Sequence, residues 1–310
     1  MRSTTEMYKA VGVLLTVLVG SIWFGSCTNL RNEVDPSLLG VQPTQLVVSS
    51  FLSPQDTILA VKVTRSNTVV GDSISLLQTG NTVIDATVTL SDGSKSVVLP
   101  YNNRSTGDTT RNQTYYSINA KLLPIVVGRT YTLTVAATNG QRATSTCTIP
   151  AAVPPTVIDT IRVNQRPAIR VSWQDPAGQA NYYQVNGIFR SILASCKACQ
   201  NESYSTLSFD DDNRGLFSDA GLDGTVIPSG RALLTFNSAS SSFSQYRTAS
   251  VTIDLMSIDQ NYYQFQEAVI RQRRSRNNPF AEPVLIPSNI QGGLGCFGGY
   301  NNATMTLRLK

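Results

Sequence analysis

The sequence predicts a mainly β protein of two β-sandwich domains, the second of which carries an α-helix in its C-terminal half. Short stretches of alternating apolar and polar residues recur along the chain, with turn residues at intervals of about ten residues. A proline-rich linker, Pro150 to Pro155, divides these stretches into two groups. One later segment, residues 260–274, changes to helical spacing.

The first domain is predicted over residues 44–150, after a polar tether over residues 27–43. About seven short strands fit this span, which is the strand number of an immunoglobulin-like sandwich. Residues 57–64 alternate clearly, so one set of their side chains faces a core. Hairpin turns are indicated at Asp92-Gly93 and Asn139-Gly140.

The second domain is predicted over residues 156–310. A strand that ends in Trp173-Gln174-Asp175-Pro176 is followed by a short loop and by Tyr182-Tyr183-Gln184-Val185. This arrangement resembles two consecutive strands of fibronectin type III domains. We expect Trp173 and Tyr183 to pack in a core rather than to contact a ligand.

The helix predicted over about 260–274 has an apolar stripe at helical spacing and marked ends. Asp259 is the predicted N-cap. Tyr262, Phe265 and Val269 form the stripe that would pack on a sheet. Cationic side chains suit the last turn of a helix, and this turn contains Arg271, Arg273 and Arg274. A solvated helix end is the expectation, and an anionic partner or lipid headgroup is the alternative.

Residues 1–26 are predicted to be a lipoprotein signal peptide. Arg2 and Lys9 precede an apolar run from Ala10 to Phe24, and Gly25-Ser26 lead directly into Cys27. The thiol of Cys27 would carry the lipid, which places the rest of the chain outside the cytoplasm. Phe24 stands where bacterial lipoproteins usually have Leu. An ordinary signal peptide and an uncleaved anchor stay open, although the run is shorter than the roughly 20 residues of a spanning helix.

The composition excludes several kinds of chemistry. The chain has no His, which removes Ser-His-Asp and Cys-His catalysis and the usual imidazole ligands of zinc. Its net charge of +5 is mild and mostly scattered, so nucleic acid is not an expected partner. We therefore expect a protein that is not an enzyme and that has no cofactor.

The five cysteines suit an oxidising compartment. Cys196-Lys197-Ala198-Cys199 has Cys-x-x-Cys spacing, but no βαβ context and no second pair accompany it. A local disulfide between Cys196 and Cys199, or an inert pair of thiols, is therefore expected rather than redox or metal chemistry. Cys147 and Cys296 fall in different predicted domains and need not pair.

An acidic segment, Asp210-Asp211-Asp212-Asn213-Arg214-Gly215, matches a calcium loop only in part. An EF-hand loop has oxygen ligands at its first, third and fifth positions, and the fifth position here is Arg214. We therefore expect a solvated turn without a metal. If a metal is bound here, Asp210 and Asp212 are the candidate ligands. Asp210–Asp212 and Asp223 would be the candidates for paired carboxylates in a hydrolase.

The most distinctive motif is the closing string from Pro287 to Gly298, Pro-Ser-Asn-Ile-Gln-Gly-Gly-Leu-Gly-Cys-Phe-Gly. It is not a phosphate-binding loop, because no helix follows and no Lys-Ser/Thr is present. Other motifs accompany the string, among them the lipobox at Cys27, the Leu46-Val47-Val48 strand, the Asp85-Ala86-x-Val88 strand, the Gly128-x-x-Tyr131-x-Leu133 strand and the proline-rich linker. Together they resemble the Bacteroidetes lipoprotein family called domain of unknown function 4249. The resemblance covers essentially the whole mature chain and carries over no catalytic residues.

The resemblance implies a palmitate-bearing outer-membrane lipoprotein on the periplasmic or cell-surface face. Such proteins are associated with TonB-dependent transporters, so we expect a binding or accessory protein attached to the membrane through Cys27. A surface adhesion or glycan-binding module is the alternative, and it depends on exposure of Tyr115, Tyr116 and Tyr182. A carboxylate-based hydrolase is the third hypothesis.

Overall fold

A computed structural model describes most of the chain after residue 42. The described residues are 43–66, 81–102, 114–164, 166–198, 200–210, 214–234, 243–275, 282 and 284–310. Apart from Pro43, they belong to one compact unit. The predicted signal peptide, Cys27 and nearly all of the tether lie outside the described residues. Among the residues described, no helix has the length and hydropathy that crossing a membrane requires.

The described chain is mainly β and sandwich-like, as predicted. The strands of its first half are β1 Leu46–Leu52, β2 Ile58–Arg65, β3 Thr87–Ser91, β4 Ser96–Leu99, β5 Tyr101–Asn102, β6 Tyr115–Asn119, β7 Thr130–Ala136 and β8 Arg142–Thr148. The strands of its second half are β9 Val157–Val163, β10 Arg166–Gln174, β11 Tyr182–Leu193, β12 Ser203–Thr206, β13 Leu216–Ser218, β14 Val226–Pro228, β15 Ala232–Leu233, β16 Tyr246–Ile258 and β17 Gly293–Arg308. The α-helix α1 spans Gln260–Ser275, and short 3-10 turns lie at Ala120–Leu122 and Phe243–Gln245.

The described strands form three sheets. The largest is a nine-stranded sheet with the order β12-β11-β16-β17-β1-β2-β6-β5, in which β13 also pairs with β11. A four-stranded sheet has the order β4-β3-β7-β8, and another is built around β10, with β9, β14 and β15 as its partners. The hairpins predicted at Asp92-Gly93 and Asn139-Gly140 connect β3 to β4 and β7 to β8.

Strand β17 joins the two halves of the chain in one sheet. Its first part pairs in parallel with β1, from Leu46 opposite Gly293 to Leu52 opposite Gly299. Its second part pairs antiparallel with β16, from Ile258 opposite Tyr300 to Ser250 opposite Arg308. Strand β17 therefore starts inside the glycine-rich string, at Gly293.

Two separate hydrophobic cores lie on either side of the predicted linker along the chain. The first core combines side chains of residues 46–149 with Ile290 and Phe297. The second core combines side chains of residues 153–255, including Trp173 and Tyr183 as expected. Because Ile290 and Phe297 belong to the first core, the C-terminal segment does not serve the second half alone.

Alternation explains which strand residues enter the cores. In β2, Leu59, Val61 and Val63 are buried, while Ile58 and Lys62 are exposed. This is the period of two expected for a strand with one face on a core. The residues 57–64 therefore alternate as predicted.

Helix α1 begins at the predicted cap and packs on the sheet. The backbone N–H of Tyr262 donates to Asp259 Oδ1 at 2.8 Å, which satisfies one of the free donors at the helix start. Tyr262 and Ala268 are its buried residues. Tyr262 also joins a small cluster with Leu216 and Ile258. At the other end, Arg271 contacts Glu267 at 3.5 Å, while Arg273 and Arg274 are exposed, as expected for a solvated helix end.

Glycines of the string are needed where its backbone passes close to neighbouring backbone carbonyl groups. Gly295 has φ +114°, and a Cβ placed there would lie 2.0 Å from the carbonyl oxygen of Val48. Gly292 has φ +80°, and its Cβ would lie 2.3 Å from the carbonyl oxygen of Arg142. Side chains are excluded at both positions because the left-handed region and the neighbouring carbonyl each forbid them. These glycines therefore serve the architecture.

Candidate functional site

Three carboxylates converge at one end of the second core. Asp175 directly follows β10, Asp219 directly follows β13, and Asp223 lies in the turn before β14. One oxygen of each lies within 4.8 Å of the others. The pairing of β11 with β13, in which Tyr182 lies opposite Ser218, places the end of β13 beside this group. Asp175 and Asp219 are buried, and Asp223 is exposed.

Asp175 is held by a buried phenol. The hydroxyl of Tyr183 donates to Asp175 Oδ1 at 2.5 Å. The ring of Tyr183 packs edge-on against Trp173, with centroids 5.3 Å apart. Burial first, and then the carboxylate of Asp175, raises the pKa of Tyr183 well above its usual value. The phenol therefore stays protonated at neutral pH and remains a donor.

Backbone N–H groups donate to all three carboxylates. Gly224 N donates to Asp175 Oδ2 at 2.9 Å, and Asn181 N donates to Asp219 Oδ2 at 2.8 Å. Gly178 N donates to Asp223 Oδ1 at 2.9 Å. Each of these bonds connects the loop after β10 with the segment between β13 and β14. The carboxylates therefore brace two loops against each other.

Among the described residues, Asp175, Asp219 and Asp223 are close enough together to hold a cation. Hard cations such as Ca²⁺ prefer carboxylate oxygens, and three of them close together suit that chemistry. Among the ion pairs that the described residues form, none involves Asp175, Asp219 or Asp223. The three residues could hold a divalent cation, and their hydrogen bonds also give them a purely structural task.

The sequence-based metal candidates lie elsewhere. Asp210 forms an ion pair with Arg231, with 2.6 Å between Arg231 Nη2 and Asp210 Oδ2. Burial alone would raise the pKa of Asp210, but the hydrogen bonds and charge of Arg231 lower it overall. Asp211 and Asp212 are outside the described residues. Asp223 is grouped with Asp175 and Asp219, whereas Asp210 is occupied by Arg231.

The cysteines divide into two kinds. Cys147 and Cys296 are free and buried, and burial raises the pKa of the Cys296 thiol to about 12. Both thiols therefore stay protonated and are poor nucleophiles. Cys196 takes part in a disulfide. Its expected partner Cys199 is outside the described residues, so that pairing stays a prediction, as does lipidation of Cys27.

The glycan-binding alternative depended on exposure of Tyr115, Tyr116 and Tyr182, and all three are buried or half-buried. Tyr116 is buried, and its hydroxyl donates to the carbonyl oxygen of Val83 at 2.9 Å. The glycan-binding alternative depended in part on an exposed Tyr116, and Tyr116 does not meet that condition because it lies on the inward face of β6. Tyr115 is half-buried. Tyr182 is half-buried too and stacks on Tyr263, with centroids 4.8 Å apart.

Sequence reasoning missed Asp175 and Asp219 as partners of Asp223. Asp175 was visible in the Trp173-Gln174-Asp175-Pro176 motif, because a carboxylate at the end of a core strand often accepts hydrogen bonds from the next turn. Nothing along the sequence linked it to Asp219, which is 44 positions away in the numbering. Only the pairing of β11 with β13 brings them together.

The fold and the closing string define a mainly β protein whose C-terminal strand joins two cores. The chain belongs to the family described as Domain of unknown function (DUF4249), whose model matches residues 29–306. No curated protein matches the chain. Among solved structures, a DUF4785 family protein from Legionella pneumophila subsp. pneumophila str. Philadelphia 1 is 9% identical, with a TM-score of 0.25. That match covers 70% of this chain and 53% of the other, so the chain spans about half the length of that structure.

Proposed function

We propose that the chain is a lipid-anchored outer-membrane protein that binds a partner and catalyses no reaction. In this proposal the Cys27 thiol carries the lipid, and a TonB-dependent transporter is the partner. The family match begins at residue 29, two positions after Cys27, so the lipobox directly precedes the family region. The absence of His in the whole sequence supports a binding protein rather than an enzyme.

The observation that carries the proposal is the continuous nine-stranded sheet. Strand β17 pairs with β1 and with β16, so both cores are fixed to one sheet. A rigid scaffold of this kind can present a wide surface to a partner at low entropic cost. The glycine-rich string, which is the distinctive motif of the family resemblance, makes this joint possible.

The proposal includes two immunoglobulin- or fibronectin III-like units. The two separate cores support it, because each draws its side chains from a different half of the chain apart from Ile290 and Phe297. The Trp173–Tyr183 contact supports the second unit in particular, since a buried aromatic pair at this place is what the fibronectin-like motif predicts.

Lipidation is tested first. We expect metabolic labelling with a palmitate analogue to mark the wild-type chain and to leave Cys27→Ser unlabelled. Cys147→Ser is the matched control, because its thiol is buried and should not affect labelling. Equal labelling of Cys27→Ser and wild type would remove the lipid anchor from the proposal.

Association with a transporter is tested separately. A tagged wild-type chain is extracted from native membranes with mild detergent, and co-purifying proteins are identified by mass spectrometry. A TonB-dependent transporter should be recovered at a near-stoichiometric level. Its absence from the wild-type eluate, with the bait folded and abundant, would contradict the partnership even if Cys27 is lipidated.

A glycan-binding module is the second candidate, and one observation favours it. Tyr204 is an aromatic side chain with 77% exposure on the nine-stranded sheet. It takes the place of the buried Tyr116 as the aromatic platform that such a module needs. A carboxylate hydrolase has less support, because Asp210 is paired with Arg231.

A further inference from the structure

Four adjacent strands place Tyr204, Arg190, Ser250 and Arg308 in one row across the sheet. Arg190 of β11 lies opposite Tyr204 of β12 and opposite Ser250 of β16. Ser250 in turn lies opposite Arg308 of β17. Directly opposed residues of antiparallel strands point to the same face. These four residues, here called the Tyr204 row, therefore share one face.

The Tyr204 row is on the outer face of the sheet. The neighbouring residues Phe189 and Val251 point the other way, into the second core. Tyr204 has 77% exposure, and Arg308 is also exposed. Arg190 and Ser250 are half-buried. Helix α1 packs near Tyr182, Met256 and Tyr300, at the opposite end of these strands.

Hydroxyl groups continue this face next to the Tyr204 row. Arg190 Nη1 donates to Thr252 Oγ1 at 3.1 Å, which confirms that the two side chains share the face. Thr252 Oγ1 lies 3.1 Å from Thr306 Oγ1. Ser250, Thr252 and Thr306 thus offer hydroxyls that both donate and accept hydrogen bonds.

Among the described residues, no carboxylate forms an ion pair with either guanidinium group of the row. Their Cα atoms are separated by two strand spacings, or roughly 10 Å, so both long side chains can converge above Ser250. Among the described residues, neither Arg190 nor Arg308 has a carboxylate partner within ion-pair distance.

Two described acidic side chains of this region, those of Asp254 and Glu202, lie to the sides of the row. Asp254 is on the same face but two rows away, at roughly 13 Å along the strand. Its Oδ1 already accepts from Asn302 at 3.1 Å and from Thr304 at 2.6 Å. Glu202 directly precedes β12 and is exposed. The centre of the row therefore stays cationic.

We propose that the Tyr204 row binds an acidic saccharide. Arg190 and Arg308 hold the anionic group, since guanidinium forms paired hydrogen bonds with carboxylate, sulfate and phosphate alike. The exposed Tyr204 ring packs on the apolar face of a sugar ring. The hydroxyls of Ser250, Thr252 and Thr306 pair with sugar hydroxyls. This site needs neither the lipid anchor nor the transporter, so it stands or falls separately from them.

Binding is measured by calorimetry on the full chain in detergent. The probes are tri-galacturonate, neutral maltotriose and inorganic sulfate, each at low and at high NaCl. Tri-galacturonate should bind at least about tenfold more tightly than either of the other two. Its affinity should fall at high salt, because screening weakens the exposed charge interactions.

Variants identify the residues that carry the binding. Arg190→Gln and Arg308→Gln should each lower the affinity for tri-galacturonate by about tenfold or more. Tyr204→Ala should lower the affinity for tri-galacturonate and leave the affinity for sulfate unchanged. Arg162→Gln, an exposed arginine of β9, is the matched control and should bind as the wild type does. Glu202→Gln should strengthen binding, because it removes a negative charge two residues before Tyr204. Denaturation midpoints confirm that each variant is folded.

Five results would overturn the proposal. The first four are no binding of tri-galacturonate, equal binding of maltotriose, unchanged affinity in both arginine variants, and sulfate binding as tightly as tri-galacturonate. Binding of phosphatidylglycerol vesicles in place of the trisaccharide would also overturn it, since the partner would then be a lipid surface. None of these results bears on the lipid at Cys27 or on the transporter.

Discussion

Asp259 and Gly299 hold each other by two hydrogen bonds. The backbone N–H of Asp259 donates to the carbonyl oxygen of Gly299 at 2.9 Å, and the N–H of Gly299 donates back to Asp259 Oδ2. The same carboxylate caps helix α1 through Tyr262 N. One side chain therefore links the start of the only α-helix among the described residues to the glycine-rich part of β17.

Replacement of Asp259 by Ala should destabilise the fold by about 2–3 kcal/mol. The change removes a helix cap and leaves the buried N–H of Gly299 without its acceptor. Urea denaturation measures the loss. Asp159→Ala is the control, because Asp159 and Arg170 form an exposed pair at 3.5 Å, worth at most about 1 kcal/mol. Equal losses in the two variants would contradict the linking role of Asp259.

The carboxyl of Asp259 should also make stability depend on pH. Burial raises its pKa above the ordinary 3.8, although backbone hydrogen bonds from Tyr262 and Gly299 partly oppose this. The folded chain then holds the proton more tightly than the unfolded chain. The stability that this group contributes is complete below pH 3.8 and is lost as the pH rises through the raised pKa. In urea denaturation measured at a series of pH values above 3.8, Asp259→Asn should not show that loss of stability.

Asp92 is the control, because its pKa is shifted in the direction opposite to that of Asp259. Hydrogen bonds from the backbone of Lys95 and from Ser94 lower the pKa of Asp92 below its usual 3.8. Its contribution is therefore present above pH 3.8 and is lost as the pH falls. Asp92→Asn should differ from the wild type mainly in the slope on the acid side. If both variants change the slope in the same direction, the assignment for Asp259 is wrong.

Gly295→Ala should prevent normal folding, whereas Gly221→Ala should be tolerated at a modest cost. Both glycines have positive φ, +114° at Gly295 and +79° at Gly221. A Cβ at Gly295 would collide with Val48 O at 2.0 Å, but a Cβ at Gly221 meets nothing within 4 Å. The comparison separates close backbone approach from backbone strain alone. Soluble yield and thermal midpoint are measured, and similar midpoints would disprove the packing explanation.

Tyr183→Phe should cost about 1–3 kcal/mol, because the buried carboxylate of Asp175 loses a hydrogen-bond donor. The aromatic contact with Trp173 is kept in this variant. Tyr182→Phe removes a hydroxyl from the adjacent, half-buried tyrosine and should change stability by much less. Guanidinium denaturation compares the two, and a larger effect at Tyr182 would argue against the bond to Asp175.

Local features of the fold were predictable where the signal lies within a few residues. Asp259 capping α1 and Asn139-Gly140 turning β7 into β8 depend on neighbours in the chain. The pair Tyr115-Tyr116 shows the limit of such signals. Alternation says that the two side chains point to opposite faces, but it does not say which face is covered, and Tyr116 is the buried one.

The candidate sites depended on contacts that are distant in sequence. Asp175 meets Asp219 only through the pairing of β11 with β13. Arg190 and Arg308 share a row only through the register of β11, β16 and β17. Neither register can be derived from a single strand, because many registers satisfy the same alternation of apolar and polar residues.

The sequence by itself determined the β class, the position of the helix and the exclusion of His-based chemistry, because composition and local periodicity carry that information. It also determined the family, through the closing string from Pro287 to Gly298 and the family match. The tertiary structure decided the rest. It placed Gly293 to Gly298 of the glycine-rich string in β17 beside β1, and it set Tyr204 in one row with Arg190 and Arg308 on an outer face. These outcomes depend on which strands pair and in which register, and long-range packing alone fixes both.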